Sequence, residues 1–258
     1  MLKIASSQNK LIKSVKKLLI DSKYRHTSNL FVAETYRVIK QLIDNKQKCR
    51  NIIVRMDSKY LSQIKQLDKN GLNCVEVNNQ IFNTLSSLEN SDGVIGVFNS
   101  KKNELVIENN KKYILLDRIQ NPINLGSIIR TSVALGINGI IITNNSVDIT
   151  NQKVIKTSVG TCFNIPIKVI TSLTDAINKL KTKGIRCYAT SLNPNSTKLN
   201  DVVFQNGTCV IFGNEGTGLK EKDVKLCDET IYIPITNKVD SLNVNVACAI
   251  VMYQLCKN

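Results

Sequence analysis

The sequence predicts an α/β protein in two parts, a smaller α/β domain over residues 1–98 and a parallel-sheet domain over residues 113–258. Three observations carry this. Short apolar runs alternate with stretches of helical period along the whole chain. In the second part those runs are apolar throughout, as in Tyr113-Ile114-Leu115-Leu116 and Gly139-Ile140-Ile141-Ile142, which is how parallel strands covered on both faces read. Between the parts, residues 99–112 are mostly polar and charged and read as a linker, with Leu105-Val106-Ile107 a short extended piece.

The elements follow in order. Leu11, Ile12, Val15, Leu18 and Leu19 fall at helical spacing and predict an amphipathic helix over 9–20, whose outer face carries Lys10, Lys13, Lys16 and Lys17. Leu30-Phe31-Val32-Ala33 predicts a strand and 34–44 a helix. Ile52-Ile53-Val54 predicts a strand, 58–69 a helix, 74–77 a strand, 80–88 a short helix and 94–98 a strand. In the second part, helices are expected near 124–136, 151–157, 172–183, 219–227 and 242–256. Strands are expected at 113–116, 139–142, 186–190, 208–212 and 231–233. The last helix is apolar nearly all round, so it belongs either at the centre of the core or at a subunit interface.

Composition narrows the function. With 42% hydrophobic and 21% charged residues, the chain has enough apolar material for real cores. The formal charge of +15 favours an anionic partner, and residues 1–25 alone hold seven Lys/Arg against the single acid Asp21. Lys10, Lys13, Lys16, Lys17, Lys23 and Arg25 are therefore candidate RNA contacts. The eight cysteines form no CxxC pair, and there is only one His, so no metal site is expected. Most of the cysteines lie in apolar runs and read as small buried hydrophobes of a reducing compartment. No run has the length of a membrane span, so the expected location is the cytoplasm, with no membrane partner.

Three strand-following segments carry the chemistry. The first runs from Asp117 to Thr131; Pro122 breaks the chain after the strand, and Asn124 is a candidate cap for the following helix, with Arg130 less than two turns on. The two can face one cleft at the carboxyl edge of the sheet. The second, Phe212-Gly213-Asn214-Glu215-Gly216-Thr217-Gly218-Leu219, is a strand entering a loop with three glycines and one acid. It is neither a Walker A loop nor GxGxxG. The third, Ile233-Pro234-Ile235 through Ser241-Leu242-Asn243-Val244, enters the apolar last helix, with Ser241 a candidate N-cap.

In order and content these segments resemble the three motifs of the SpoU-type RNA ribose methyltransferases of the SPOUT trefoil-knot superfamily. Asn121 to Arg130 matches N-P-x-N-x-G-x-x-x-R, Gly213 to Leu219 matches G-x-E-G-x-G-L, and Ile233 to Val244 matches I-P-x-x-x-x-x-x-S-L-N-V. The resemblance covers roughly residues 113–256. More loosely, Gln8 to Lys13 and Phe31 to Glu34 resemble that family's substrate-binding domain, a ribosomal-protein-like α/β fold.

The resemblance implies a knotted C-terminal methyltransferase domain that binds S-adenosyl-L-methionine and pairs as a homodimer. It implies 2′-O-methylation of a ribose in structured RNA, with ribosomal RNA of the 23S type first and transfer RNA the alternative substrate. A catalytically inactive RNA-binding module on the same scaffold is the non-enzyme alternative. The matching catalytic set is Asn124, Arg130, Glu215, Ser241 and Asn243, with Arg130 also touching RNA. The matching cofactor set is Phe212, Gly213, Asn214, Glu215, Gly216, Ile233, Ile235, Ser241, Leu242 and Asn243. Whether Arg130 acts as a base or as a clamp on RNA phosphate stays open at this stage. A guanidinium is almost never neutral, which makes the clamp physically easier.

Overall fold

A computed structural model describes residues 1–86, 88, 90–100, 104–193 and 195–257. The first stretch of chain contains β1 (Leu2–Ile4), α1 (Lys10–Ile20), α2 (Ser22–Ser28), β2 (Leu30–Glu34), α3 (Tyr36–Asp44), β3 (Cys49–Arg55), α4 (Leu61–Lys69), β4 (Cys74–Val77), α5 (Asn79–Asn83) and β5 (Val94–Asn99). There follow β6 (Lys112–Leu116), α6 (Pro122–Ala134), β7 (Gly139–Thr143), α7 (Gln152–Thr157), β8 (Ile167–Ile170) and α8 (Leu173–Thr182). The chain closes with β9 (Arg186–Thr190), β10 (Thr197–Lys198), β11 (Thr208–Phe212), α9 (Glu221–Val224), β12 (Glu229–Tyr232) and α10 (Val244–Cys256).

The chain divides into two compact units. The first is Met1–Lys101 with Ile149–Phe163, and the second is Lys102–Asp148 with Asn164–Asn258. The excursion over 149–163 departs from the linear division at 99–112. Its cause is apolar: Phe163 stacks on Phe31 at 4.3 Å, and Val154 and Ile155 of α7 are buried. Of the linker, residues 101–103 lie outside the described residues. Leu105 and Ile107 form no strand and pack instead against the core of the second unit.

The first unit is built on a five-stranded sheet of order β1-β4-β3-β5-β2, in which β5 runs antiparallel to its neighbours β3 and β2. Helix α1 forms where the apolar period predicts it. Asn9 caps it by accepting from Leu11 N at 2.8 Å, and Ile12, Val15 and Leu18 enter a core with Val32, Ile53, Val75 and Ile95. Helix α2 has no apolar period and escapes sequence reading. Its anchor is Arg25, only 5% exposed, which donates to Leu18 O at 3.0 Å and Thr150 Oγ1 at 3.2 Å. Arg25 is therefore a tie within this unit, and its place among the RNA contacts is corrected. A buried guanidinium has its donors committed to the fold and cannot also meet a phosphate. Lys10, Lys13, Lys17 and Lys23 are exposed and Lys16 is half-buried.

The second unit holds a seven-stranded sheet of order β10-β12-β9-β11-β6-β7-β8, parallel at every pairing. The strands β7 and β11 are buried at every position, as their unbroken apolar runs require. One face is covered by α8, through Leu173, Ile177 and Leu180. Helix α10 packs on α6, with Ser132 Oγ 3.2 Å from Met252 Sδ. Its inward residues are Cys248, Val251, Met252 and Leu255. Val246, Ile250 and Tyr253 stay 45%, 39% and 64% exposed along its outer side. No helix among the described residues is long and apolar enough to cross a membrane, and none of them form a group of three or more potential metal ligands.

Candidate active site

The site stands at the carboxyl edge of the second sheet, where β6 and β11 release adjacent loops and the chain returns after β12. Loop 213–219 can turn there because Gly213 has no side chain: a Cβ on it would lie 2.3 Å from the carbonyl carbon of Gly218. The hub of the loop is Asn214. Its Oδ1 accepts from Gly216 N and Thr217 N, both at 3.0 Å, and its Nδ2 donates to Arg118 O at 2.8 Å. Its amide thus shapes the loop from within.

Glu215 binds this loop to the start of α6. Oε1 accepts from Asn121 N at 3.1 Å and Asn124 Nδ2 at 3.2 Å. Oε2 accepts from Gln120 N at 3.2 Å and Asn214 Nδ2 at 3.3 Å. Burial pushes the carboxyl pKa up. Hydrogen bonds from its own N–H, from Asn121, from the Asn124 amide and from Gln120 outweigh that and hold it below the ordinary value.

Two capping assignments change. The cap of α6 is Asn121, which accepts from Ile123 N at 2.8 Å, with Pro122 opening the helix. Asn124 lies inside the helix, 5% exposed, and its amide faces Glu215. The cap of α10 is Asn243, which accepts from Asn245 N at 3.0 Å; Ser241 lies outside the helix.

Two cavities share this edge. One, of about 380 Å³, is lined by Phe212, Gly213, Asn214, Glu215, Gly216, Ile233, Ile235, Ser241 and Leu242, together with Thr190, Leu219, Ile231, Val244 and Val251. The other is a shallow polar cleft lined by Gln120, Asn121, Asn124, Asn214, Glu215, Ser241 and Asn243. The three sequence segments thus meet, and four of the five candidate catalytic residues share the cleft. Arg130 does not. It is exposed, lines neither cavity and makes no hydrogen bond or ion pair among the described residues. Six residues along a helix rotate a side chain by about 120° from its starting direction, which takes Arg130 off the face that carries Asn124. Sequence reasoning also passed over Gln120, Thr190 and Arg118; no periodicity or motif marks them.

Comparison with known proteins finds relatives in both sequence and fold. A family model described as the SpoU rRNA Methylase family matches residues 111–253, and one described as an MRM3-like substrate binding domain matches residues 9–96. The chain is 28% identical to the 23S rRNA (guanosine(2553)-2'-O)-methyltransferase RlmP of Bacillus subtilis, over 99% of each chain. It is 29% identical to an uncharacterized tRNA/rRNA methyltransferase of Synechocystis, over 97% of this chain and 92% of the relative. Its fold superposes on the AdoMet-bound rRNA methyltransferase from Sinorhizobium meliloti with a TM-score of 0.86, at 25% identity, covering 99% of this chain and 97% of that one. The protein described here belongs to the SpoU rRNA methylase family.

Proposed function

We propose that this protein methylates the 2′-hydroxyl of a ribose in ribosomal RNA of the 23S type, using S-adenosylmethionine. The observation that carries the reading is the junction of two cavities at one sheet edge, a half-open one with a mostly apolar wall beside a polar cleft built on Asn124 and Glu215. The residues present fit the cofactor. The Gly213 backbone wall and the side chains of Ile231, Ile233, Ile235, Leu242 and Val251 form a slot suited to an adenine face. Strand-end and loop backbone groups would bond the polar edges of the cofactor. Phe212 to Gly216, Ile233, Ile235 and Ser241 to Asn243 would hold it. When bound, S-adenosylmethionine supplies an activated methyl group on sulfur.

The chain's own residues then have separate tasks. Asn124 and Glu215 lock α6 to loop 213–219 and so fix the floor of the cleft. Asn243 holds the entry to α10. Arg130 presents a free guanidinium suited to clamping an RNA phosphate and offsetting the negative charge that develops on the ribose oxygen. The finer reading includes a trefoil knot in the second unit and a homodimer formed through it, whose partner subunit helps to build the RNA site. The exposed stripe of Val246, Ile250 and Tyr253 on α10 supports the pairing. The first unit, with its lysine-bearing α1, would hold RNA in the cytoplasm of its cell.

The test is a methyl-transfer assay with S-adenosylmethionine and purified 23S rRNA or tRNA, followed by mapping of the 2′-O-methyl position. Arg130→Ala abolishes transfer and leaves cofactor affinity, measured by calorimetry, unchanged. Retention of more than a tenth of the activity, a loss under about 1.4 kcal/mol in barrier terms, removes Arg130 from the reaction.

A further inference from the structure

Arg118 follows β6 and carries none of the recognised motif positions. It sits at φ 54°, in the left-handed region that non-glycine residues seldom occupy. Its backbone is held on both sides. The N–H donates to Thr143 Oγ1 at 2.8 Å, and the carbonyl accepts from Asn214 Nδ2 at 2.8 Å. The guanidinium is committed in three directions. Nε donates to Asp117 Oδ2 at 2.7 Å, Nη1 to Thr217 Oγ1 at 3.2 Å and Nη2 to Gly218 O at 2.8 Å. Asp117 is in turn buried, and its N–H donates to Phe212 O at 2.8 Å.

One residue therefore grips loop 213–219 near both ends, at Asn214 through its carbonyl and at Thr217 and Gly218 through its side chain. Asn214 shapes the loop from within and Glu215 ties its start to α6, and Arg118 adds a grip from outside the loop on Thr217 and Gly218. Glu215, Gly216, Thr217 and Gly218 are all exposed, and two of these four are glycines, which impose the fewest conformational limits. A planar guanidinium can bridge several acceptors in fixed geometry, whereas an ammonium acts as a point charge. Arg118 is not itself part of the cavity wall, but Thr217 and Gly218 are.

We infer that Arg118 is a positioning residue for the cavity lined by Phe212 to Leu219: its guanidinium helps to select the conformation of loop 213–219, and cofactor affinity depends on it. This rests on the reading of that cavity as the S-adenosylmethionine site. It separates the task of Arg118 from that of Arg130, which lines neither cavity.

The test uses the full chain. Arg118→Gly removes the guanidinium while keeping both backbone hydrogen bonds, and glycine tolerates the left-handed φ; the buried Asp117 carboxylate it leaves unpaired is its cost to the fold, which the melting temperature reads separately from the binding constants. Calorimetric titration with S-adenosylmethionine, without RNA, is compared with steady-state constants for cofactor and for RNA and with the melting temperature of the cofactor-free protein. The expected result for Arg118→Gly is a Kd and a cofactor KM raised at least about tenfold, as loss of charge-assisted hydrogen bonds implies. The kcat at saturating cofactor and the RNA KM stay within about twofold of the parent. Arg118→Lys keeps the charge opposite Asp117 but not the fork and restores affinity only in part. Full restoration by lysine would overturn the role of the fork. If the parent binds cofactor and Arg118→Gly binds it within twofold, the inference fails alone. It fails equally if RNA KM and melting temperature worsen in step with Kd, since that marks general destabilisation. If the parent binds no S-adenosylmethionine, the reading of the cavity fails and takes the inference with it.

Discussion

Glu215→Gln is the sharpest perturbation of the loop junction. The carboxylate accepts two hydrogen bonds on each oxygen, from Asn121 N and Asn124 Nδ2 on one and from Gln120 N and Asn214 Nδ2 on the other. A carboxamide has the same shape, but one of its ends becomes a donor facing two donors. Two charge-assisted hydrogen bonds are lost, each worth about 1.5–3 kcal/mol in a dry site. Glu215 is exposed, so water replaces much of that, and the expected net loss is about 1–2 kcal/mol. For a unit of this size that corresponds to a fall of about 2–8 °C in melting temperature at neutral pH. The folded carboxyl is held below its ordinary pKa. Its stabilising contribution is therefore complete above the unfolded value, roughly pH 4.3, and fades as pH falls through the lower folded one. Thermal melts of parent and variant between pH 7 and pH 3 should converge in acid. Equal melting at pH 7, or a gap that persists undiminished at pH 3, would refute the reasoning.

Three further outcomes follow from the fold. Arg25→Ala, which removes the hydrogen bonds to Leu18 O and Thr150 Oγ1, costs about 2–4 kcal/mol in urea unfolding and leaves the salt dependence of RNA binding unchanged. Replacing Lys10, Lys13 and Lys17 by Ala makes log K less steep against log salt by about 0.7–0.9 for each phosphate contact removed, read from binding titrations at several salt concentrations. On α10 the two apolar sides separate. Ile250→Glu, on the outer side, yields a folded monomer in sedimentation. Val251→Glu, on the buried side of the helix in the wall of the apolar cavity, buries an unpaired charge and loses the fold itself, seen as loss of the cooperative melt.

Much of the fold could be read from local pattern because the second sheet is covered on both faces. The expected strands at 186–190 and 208–212 form over those same residues, each built on a short run, Cys187 to Ala189 and Cys209 to Phe212, that is buried throughout. The meeting of the three loop segments was likewise legible, because each follows a strand and ligand sites of open α/β sheets gather at that edge. What escaped was decided by partners distant in sequence. Nothing near Arg25 says that Thr150 will accept its Nε, so a run of basic residues reads as one exposed face. Nothing near Phe163 says that it will stack on Phe31 and draw residues 149–163 into the other unit. The cap of α6 is a different case. Pro122 favours the first helical position, so the residue before it is the natural cap, and that signal pointed to Asn121 rather than Asn124.

The hydrogen-bond inventory of the cleft limits which groups can act on a hydroxyl. Asn124 spends its amide on Glu215, Asn214 spends both ends on its own loop and neighbours, and Asn243 caps α10. Glu215 is the obvious carboxylate, yet the bonds that fix it also lower its pKa, and a carboxylate so stabilised is a weaker base than an ordinary one. These four residues are therefore better suited to holding geometry than to moving protons. Of the five candidate catalytic side chains, Ser241 and Arg130 alone make no hydrogen bond among the described residues, and both are exposed. Around the cavity and cleft, Asn124, Asn214, Glu215 and Asn243 hold the loop and the helix entries in place. On the proposed reading, the two side chains left free are the ones available to meet RNA. Of these, only Arg130 carries the charge to hold a phosphate and to offset the negative charge that builds on the ribose oxygen as its proton leaves.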